Sequence, residues 1–330
     1  MPRQATEPRV QIDVFLDDGD RRSALHDATF WSLRAIPKEL PAVWLYDEAG
    51  SLLFEQITRL PEYYLTGAER EILTFHSDEI AARTRAQTLV ELGAGTSEKT
   101  RLLLDALDRV GTLERFVPLD ASERVLRSSA HAIAARYPWI GVHAIVGDFE
   151  RHLHALPAAE GRMVAFLGST VGNLYPERRH ALFTAVASAL SKGEWFLLGI
   201  DLVKDADTIQ AAYNDPGGVT ETFVRNALAA ANHDLRADFD QRRFAFDARW
   251  DAGEEWMDIG FRALARHAVR VEELEVDVPF AEGEQLRIEV SAKFRRERIE
   301  RELAAAGLQL NMFWTDSGQR FALLLTRRSG

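Results

Sequence analysis

The sequence contains no cysteine among its 330 residues. Disulfides, thiolate metal sites and a cysteine nucleophile are therefore excluded, and no metal site is expected. No apolar run approaches the roughly 20 residues of a membrane-spanning helix. The opening stretch, MPRQATEPRVQIDVF, carries no signal-peptide core. A soluble cytoplasmic enzyme with no membrane partner is the expectation. Positive charge is also scarce: 40 basic residues stand against 51 acidic ones, a formal net charge of -11. A phosphate backbone needs a basic face, so nucleic acid is not expected as the main partner. A small charged substrate remains compatible with this balance. There are no internal repeats or low-complexity linkers, and a monomer is the default.

The most informative stretch is TLVELGAGTSEKT, residues 88–100. A short apolar run enters Glu91-Leu92-Gly93-Ala94-Gly95 and then a polar, helix-starting segment. That pattern reads as a buried strand ending in a tight glycine turn, where a ligand can lie against bare backbone. A glycine turn after a first strand suits a nucleotide-like ligand at the carboxyl edge of a parallel sheet. The dinucleotide signature G-x-G-x-x-G fails at Glu98, and the phosphate-loop signature G-x-x-x-x-G-K-[ST] is absent. An acid before a short G-x-G is the pattern of S-adenosylmethionine (SAM) methyltransferases.

Around this turn the chain alternates strands and helices. Helices dominate 21–85, with breaks at Pro37, Pro41 and Pro61. Strand 88–93 precedes a helix at 98–109, strand Phe116–Leu119 a helix at 122–136, and strands follow at His143–Val146 and Met163–Leu167. A helix at 177–191 leads to strand Trp195–Ile200. The alternation predicts an α/β fold with a doubly wound parallel sheet. The rhythm then changes to a helical 203–232, antiparallel strands over 240–281, a helix at 292–306 stopped by Gly307, and a hairpin Met312–Arg327 turning at Asp316-Ser317-Gly318. Residues 1–20 read as polar and loosely ordered. The 203–290 block reads as an insertion packed with the N-terminal helices.

SAM binding calls for further features at the strand ends. Asp120, closing FVPLD, is placed to accept from ribose hydroxyls. Asp148, in Val146-Gly147-Asp148-Phe149, is placed to meet the adenine amine, with Phe149 as an apolar wall. The segment Phe166-Leu167-Gly168-Ser169-Thr170-Val171-Gly172-Asn173 stands where the methyl donor faces its acceptor. Bland roles compete: Asp120 and Asp148 also suit helix N-caps, Gly168 and Gly172 suit plain turns, and Asp201 suits a structural or solvated role. Lys99, in the first turn of the next helix, is either a solvated cation or the partner of the methionyl carboxylate.

Several blocks together carry a resemblance: LYDEAGSLLFEQITRLPEYYLTGAE (45–69), VELGAGTSEKT (90–100), GDFE (147–150), FLGSTVGNL (166–174), LGIDLVKD (198–205), AYND (212–215) and EVSAKFR (289–295). The chain resembles the histidine Nα-methyltransferases of ergothioneine biosynthesis over roughly residues 25 to 330. The resemblance implies a class I SAM-dependent methyltransferase domain (residues 62–202 and 291–330) and an α+β substrate-binding domain (residues 1–61 and 203–290). It implies that Tyr46, Gly93, Lys99, Asp120, Asp148 and Phe149 bind SAM. It implies that Asn173 and Tyr213 clamp the substrate carboxylate, and that Gly168 lines the amine with its backbone. Tyr63, Glu289 and Ser291 would read the imidazole, with Phe54 and Ile259 as walls. The implied reaction converts L-histidine to hercynine, its Nα,Nα,Nα-trimethyl derivative, with three SAM as cosubstrate.

These roles have a physical basis of their own. An amide and a phenol can both donate to a carboxylate without a full cation. Residues two apart in a strand project from one face, as Glu289 and Ser291 would. Read without the resemblance, Glu289 is a surface strand acid. No general base stands out; Tyr46, a water or bulk solvent are the candidates. The chain departs from the family pattern at Ile259 and Gly260, where Met and a larger residue are usual, and at Leu65 and Gly67, where Pro and Arg are common. Competing readings are a methyltransferase for another aromatic amine such as tryptophan, and a catalytically dead SAM or histidine sensor. A nucleic-acid methyltransferase is remote, because the strand-four end reads GSTVGN rather than N-P-P-[YF].

Overall fold

The computed structural model describes residues 10–16 and 18–328. In chain order it contains β1 (Val10–Val14), α1 (Asp18–Ser32), β2 (Lys38–Glu39), α2 (Glu48–Ile57), α3 (Tyr64–Thr84), β3 (Thr88–Leu92), α4 (Arg101–Val110) and β4 (Arg115–Asp120). Next come α5 (Glu123–Arg136), β5 (Gly141–Val146), β6 (Arg162–Phe166), α6 (Pro176–Ala189), β7 (Trp195–Asp201), α7 (Ala206–Ala211) and α8 (Val219–Asp234). The chain ends with β8 (Phe244–Asp251), β9 (Trp256–Ala263), β10 (His267–Val271), β11 (Val276–Phe280), β12 (Gln285–Ala292), α9 (Arg296–Ala305), β13 (Leu308–Thr315) and β14 (Phe321–Arg328). Two units are built from these elements. One holds residues 10–16, 67–202 and 294–328; the other holds 18–66 and 203–293.

The first unit is an eight-stranded sheet in the order β1-β5-β4-β3-β6-β7-β14-β13. Neighbours from β1 to β7 pair in parallel, and β7-β14 and β14-β13 are antiparallel. Every residue of β3, β6 and β7 is buried, as expected for strands covered by helices on both faces. From β5 to β13 the order runs third, second, first, fourth, fifth, seventh, sixth, with one reversed strand. That is the class I methyltransferase sheet, and it puts the first-strand turn at a topological switch point.

The second unit contains a four-stranded sheet, β2-β12-β9-β8, and a β10-β11 ribbon. A β-bulge interrupts the β12-β9 register between Arg287 and Glu289. Arg287 pairs with Asp258 (2.7 Å) and Glu39 (3.2 Å), linking three of the four strands.

Four sequence expectations change. Part of the stretch read as loosely ordered is β1, which pairs with β5 at the sheet edge rather than joining the N-terminal helices of the 1–61 segment; residues 1–9 lie outside the described residues. None of its residues is fully buried and two are exposed, so it lacks the apolar run of the central strands. The helix expected at 292–306 begins at Arg296, because Ala292, Lys293 and Phe294 are buried in extended backbone. The helix expected at 98–109 begins at Arg101. Finally, Gly260 has a packing cause. A Cβ there would lie 2.2 Å from the Leu286 carbonyl oxygen and 2.9 Å from Arg287 Cα, both backbone atoms at the bulge.

Gly260→Ala is therefore expected to destabilise the protein by about 1–3 kcal/mol, the usual range for overpacking. Urea unfolding of both proteins measures this. An unchanged midpoint would mean that the bulge yields freely.

Candidate functional site

In the first unit the glycine turn is assembled by two acids. Gly93 and Gly95 have φ of +65° and +50°, which explains glycine at both positions. Gly95 N–H donates to Asp120 Oδ2 and Ser122 N–H to Asp120 Oδ1, each at 2.8 Å. Asp120 thus ties the first-strand turn to the second-strand end, and the helix cap at α5 is Ser122, not Asp120. Behind the turn, Glu91 is buried and accepts from Ser97 Oγ (2.9 Å) and Thr100 Oγ1. Burial pushes Glu91 up to about 7, against the opposite pull of these hydroxyls. A Cβ at Gly95 would meet nothing within 4 Å, so the backbone there faces open space.

The third and fourth strand ends complete this set. Asp148 Oδ1 accepts from Glu150 N–H (2.8 Å), a local turn contact and not a helix cap. The Phe149 ring packs on Phe166 at 5.0 Å between centroids. Gly168 has φ of +77°, and its N–H donates to Glu69 Oε1 at 2.8 Å. Asn173 ends the 3-10 turn Thr170–Asn173 that follows. Asp201, read as structural or solvated, is fully buried, and its N–H donates to Ser169 Oγ at 2.9 Å.

Lys99 differs from expectation. It precedes α4 instead of lying in its first turn, and its Nζ pairs with Glu69, which is wholly buried. Glu69 is the residue that sequence reasoning missed here. It stands in the quoted LTGAE block, but no spacing rule links it to Lys99, thirty residues later.

The second unit brings its seven sequence-predicted residues into a connected set. Tyr46 packs edge-on against Phe54 (5.8 Å), Phe54 against Tyr63 (6.3 Å), and Tyr63 against Tyr213 (6.3 Å). Phe223 of α8, not anticipated, closes the cluster at 5.5 Å from Tyr46 and 5.8 Å from Phe54. Tyr213 Oη and Ser291 Oγ are 2.8 Å apart. Glu289 lies two residues before Ser291 on β12, directly opposite Ile259 on β9. Paired residues share a face, so Ile259 stands beside Glu289. Burial pushes the Glu289 carboxyl up to about 7, while Lys293 pulls it down. Desolvation inside the aromatic cluster, and then Glu289, raise the Tyr46 phenol above its ordinary range, although 39% of the residue's surface stays exposed. A phenol so shifted is neutral at physiological pH, which weakens it as a base and suits it as a hydrogen-bonding orienter.

Lys293 is the third residue that sequence reasoning missed. It is fully buried, and its Nζ donates to Tyr213 Oη (2.7 Å) and Ser291 Oγ (2.9 Å). The signal was available: Glu289, Ser291 and Lys293 alternate along one strand face.

Comparison with known proteins agrees with this chemistry. Residues 25–328 match a family described as histidine-specific, SAM-dependent methyltransferase. A histidine N-alpha-methyltransferase of Mycobacterium tuberculosis is 48% identical over 97% of this chain and 100% of its own length. One from Mycolicibacterium smegmatis is 50% identical over 90% of this chain and 92% of its own. Ergothioneine biosynthesis protein 1 of Neurospora crassa is 31% identical over 89% of this chain and 33% of its much longer length. With the class I sheet, the glycine turn and the strand-end acids in place, the chain belongs to the histidine-specific, SAM-dependent methyltransferase family.

Proposed function

We propose that the protein methylates the α-amine of L-histidine three times with SAM, giving hercynine, the first step of ergothioneine biosynthesis. The observation that carries this reading is the polar row of Glu289 and Ser291 on one face of β12, with Tyr213 bonded to Ser291. A carboxyl and a hydroxyl spaced in this way suit the two nitrogens of an imidazole. An apolar ring in their place would offer neither group a hydrogen bond in return for its desolvation, which is a means of rejection.

SAM, when bound, supplies an electrophilic methyl on a sulfonium. The residues present fit it: open backbone at Gly95, the Asp120 carboxylate for ribose hydroxyls, and Asp148 with the Phe149 ring for adenine. Gly93 is the close-approach glycine. Lys99 has the role of cation for the methionyl carboxylate while Glu69 holds its position. Asn173 is an amide donor and Tyr213 a phenol donor for the carboxylate of histidine. Gly168 presents bare backbone to the amine, and its conformation is held by Glu69. Tyr63, Phe54 and Ile259 wall the ring.

In each transfer the amine lone pair attacks the methyl carbon, and the C–S pair departs with sulfur as a neutral thioether. The amine loses a proton before each attack, first from the ammonium of histidine itself and then from each newly methylated ammonium. The proton leaves to water, with Tyr46 orienting the amine as a neutral phenol. After the third transfer nitrogen has no lone pair, and three protons have been released per hercynine. Positioning of this kind can supply up to roughly 7–11 kcal/mol of barrier reduction.

Two outcomes are expected. Purified protein incubated with SAM and a panel of free L-amino acids should yield trimethylated histidine by mass spectrometry, with little reaction on tryptophan or tyrosine. Preferential methylation of tryptophan would overturn the substrate reading and point to the altered wall at Ile259. The second outcome concerns Glu289, whose folded pKa of about 7 lies above the ordinary 4.5. The folded state therefore holds the proton more tightly, and stability falls as pH rises from 4.5 to 7. Glu289→Gln escapes that penalty. It should be more stable than the parent by roughly 1–2 kcal/mol at pH 8 and by far less at pH 5, with KM for L-histidine raised about tenfold or more. Equal stability differences at the two pH values would contradict a half-buried carboxyl with a raised pKa.

A further inference from the structure

We infer that Lys293 is a positioning residue that makes the protein select amino acids with an ionised carboxylate, acting through the phenol of Tyr213. The inference rests on the reading above that Tyr213 faces the carboxylate of histidine. Nothing in the expected SAM or histidine set includes this residue.

The geometry is a closed triangle. Lys293 Nζ lies 2.7 Å from Tyr213 Oη and 2.9 Å from Ser291 Oγ, and the two hydroxyls are 2.8 Å apart. An ammonium can only donate, so both oxygens accept from Lys293. The bond between the hydroxyls consumes one of their two protons. The other is directed out of the triangle, toward whatever the pair recognises. Lys293 therefore fixes the polarity of the pair: its two oxygens turn their lone pairs inward, and one proton is presented outward. A hydrogen bond from a cation also polarises the phenol, making Tyr213 a stronger donor to an anion than a neutral tyrosine would be.

Burial supplies the reason to look for a function. The Lys293 side chain is fully buried, and its Nζ also lies 4.7 Å from the centre of the Tyr213 ring. Replacing a buried ionic group by a well-packed apolar one is often neutral or stabilising. A solely structural position would be served by methionine. A buried cation one hydrogen bond behind a carboxylate donor gives the clamp a positive charge, although neither of its expected members, Asn173 and Tyr213, is a cation. Low local dielectric strengthens that attraction. Lys293 in turn draws down the raised carboxyl of Glu289, four residues earlier.

The test compares L-histidine with L-histidinamide, which keeps the imidazole and the α-amine but has no carboxylate charge. Steady-state kinetics are run at one pH for the parent, Lys293→Met, Lys293→Arg and Tyr213→Phe, and each variant is referred to the parent on the same substrate. Lys293→Met should raise KM for L-histidine on the order of tenfold with kcat changed much less, and leave KM for L-histidinamide nearly unchanged. Lys293→Arg should restore most of the discrimination. Tyr213→Phe should show the same selective loss while keeping the buried amine, so the question stays answerable if Lys293→Met folds poorly by circular dichroism. Equal losses on the two substrates, for Lys293→Met or for Tyr213→Phe, would overturn the inference. A parent protein inactive on both imidazoles would instead defeat the histidine reading, and the inference with it.

Discussion

One buried carboxylate holds the cofactor-side loops in place. Glu69 has no solvent exposure, and it accepts from Lys99 Nζ and from the Gly168 amide. Those two groups stand on different loops, one after β3 and one after β6. The pocket for the carboxylate exists because residue 199 has no side chain: a Cβ there would lie 2.2 Å from Glu69 Oε1. A buried acid without partners would cost several kcal/mol. The loops are thus locked into the positions that satisfy it. Each position it fixes is one the proposed chemistry calls on, the cation after the glycine turn and the bare backbone at the fourth strand end.

The second unit follows the same logic with the opposite charge. There a buried lysine stands behind Tyr213 and Ser291, as a buried glutamate stands behind Lys99 and Gly168. In both cases the group proposed to face the ligand is a modest donor: a hydroxyl, a backbone amide or a flexible ammonium. Its direction is set by a charge one bond further in. This arrangement places the ordering cost in the folding of the protein, so less is left to pay when ligand arrives. It also accounts for an ionisable group in a buried position where an apolar residue would pack as well.

How much of this was legible follows from range along the chain. The glycine turn and the acids at Asp120 and Asp148 are read from local pattern, because a strand, a tight turn and a helix start are all short-range events. The turn at Asp316-Ser317-Gly318 was legible for the same reason; it joins β13 and β14. Glu69 was not legible, since its partners lie thirty and ninety-nine residues away. Phe223 was hidden inside an ordinary apolar helix face, and only tertiary packing brings it against Tyr46 and Phe54. Lys293 was concealed by the run of charge that follows it. RRERIERE reads as helix, and the helical reading was carried back over residues that belong to extended backbone. The alternation of Glu289, Ser291 and Lys293 is a strand pattern, and it sets the helix start after Lys293.

The two departures from the family pattern at Ile259 and Gly260 now separate into different kinds. Gly260 answers to the backbone of the bulge, where Leu286 and Arg287 approach too closely for a side chain. That bulge is what brings Glu289, rather than Ile288, opposite Ile259. The glycine is thus a condition for the register of Glu289. Ile259 is left as the one change among the ring-wall residues. A β-branched side chain beside Glu289 is stiff at χ1 and lacks the adaptability of a thioether. In the proposed arrangement its effect falls on the ring and not on the amine. Neither departure touches what limits the reaction to three methyl groups, which is the disappearance of the nitrogen lone pair. Substrate choice and degree of methylation thus rest on separate grounds, the first on side chains and the second on valence.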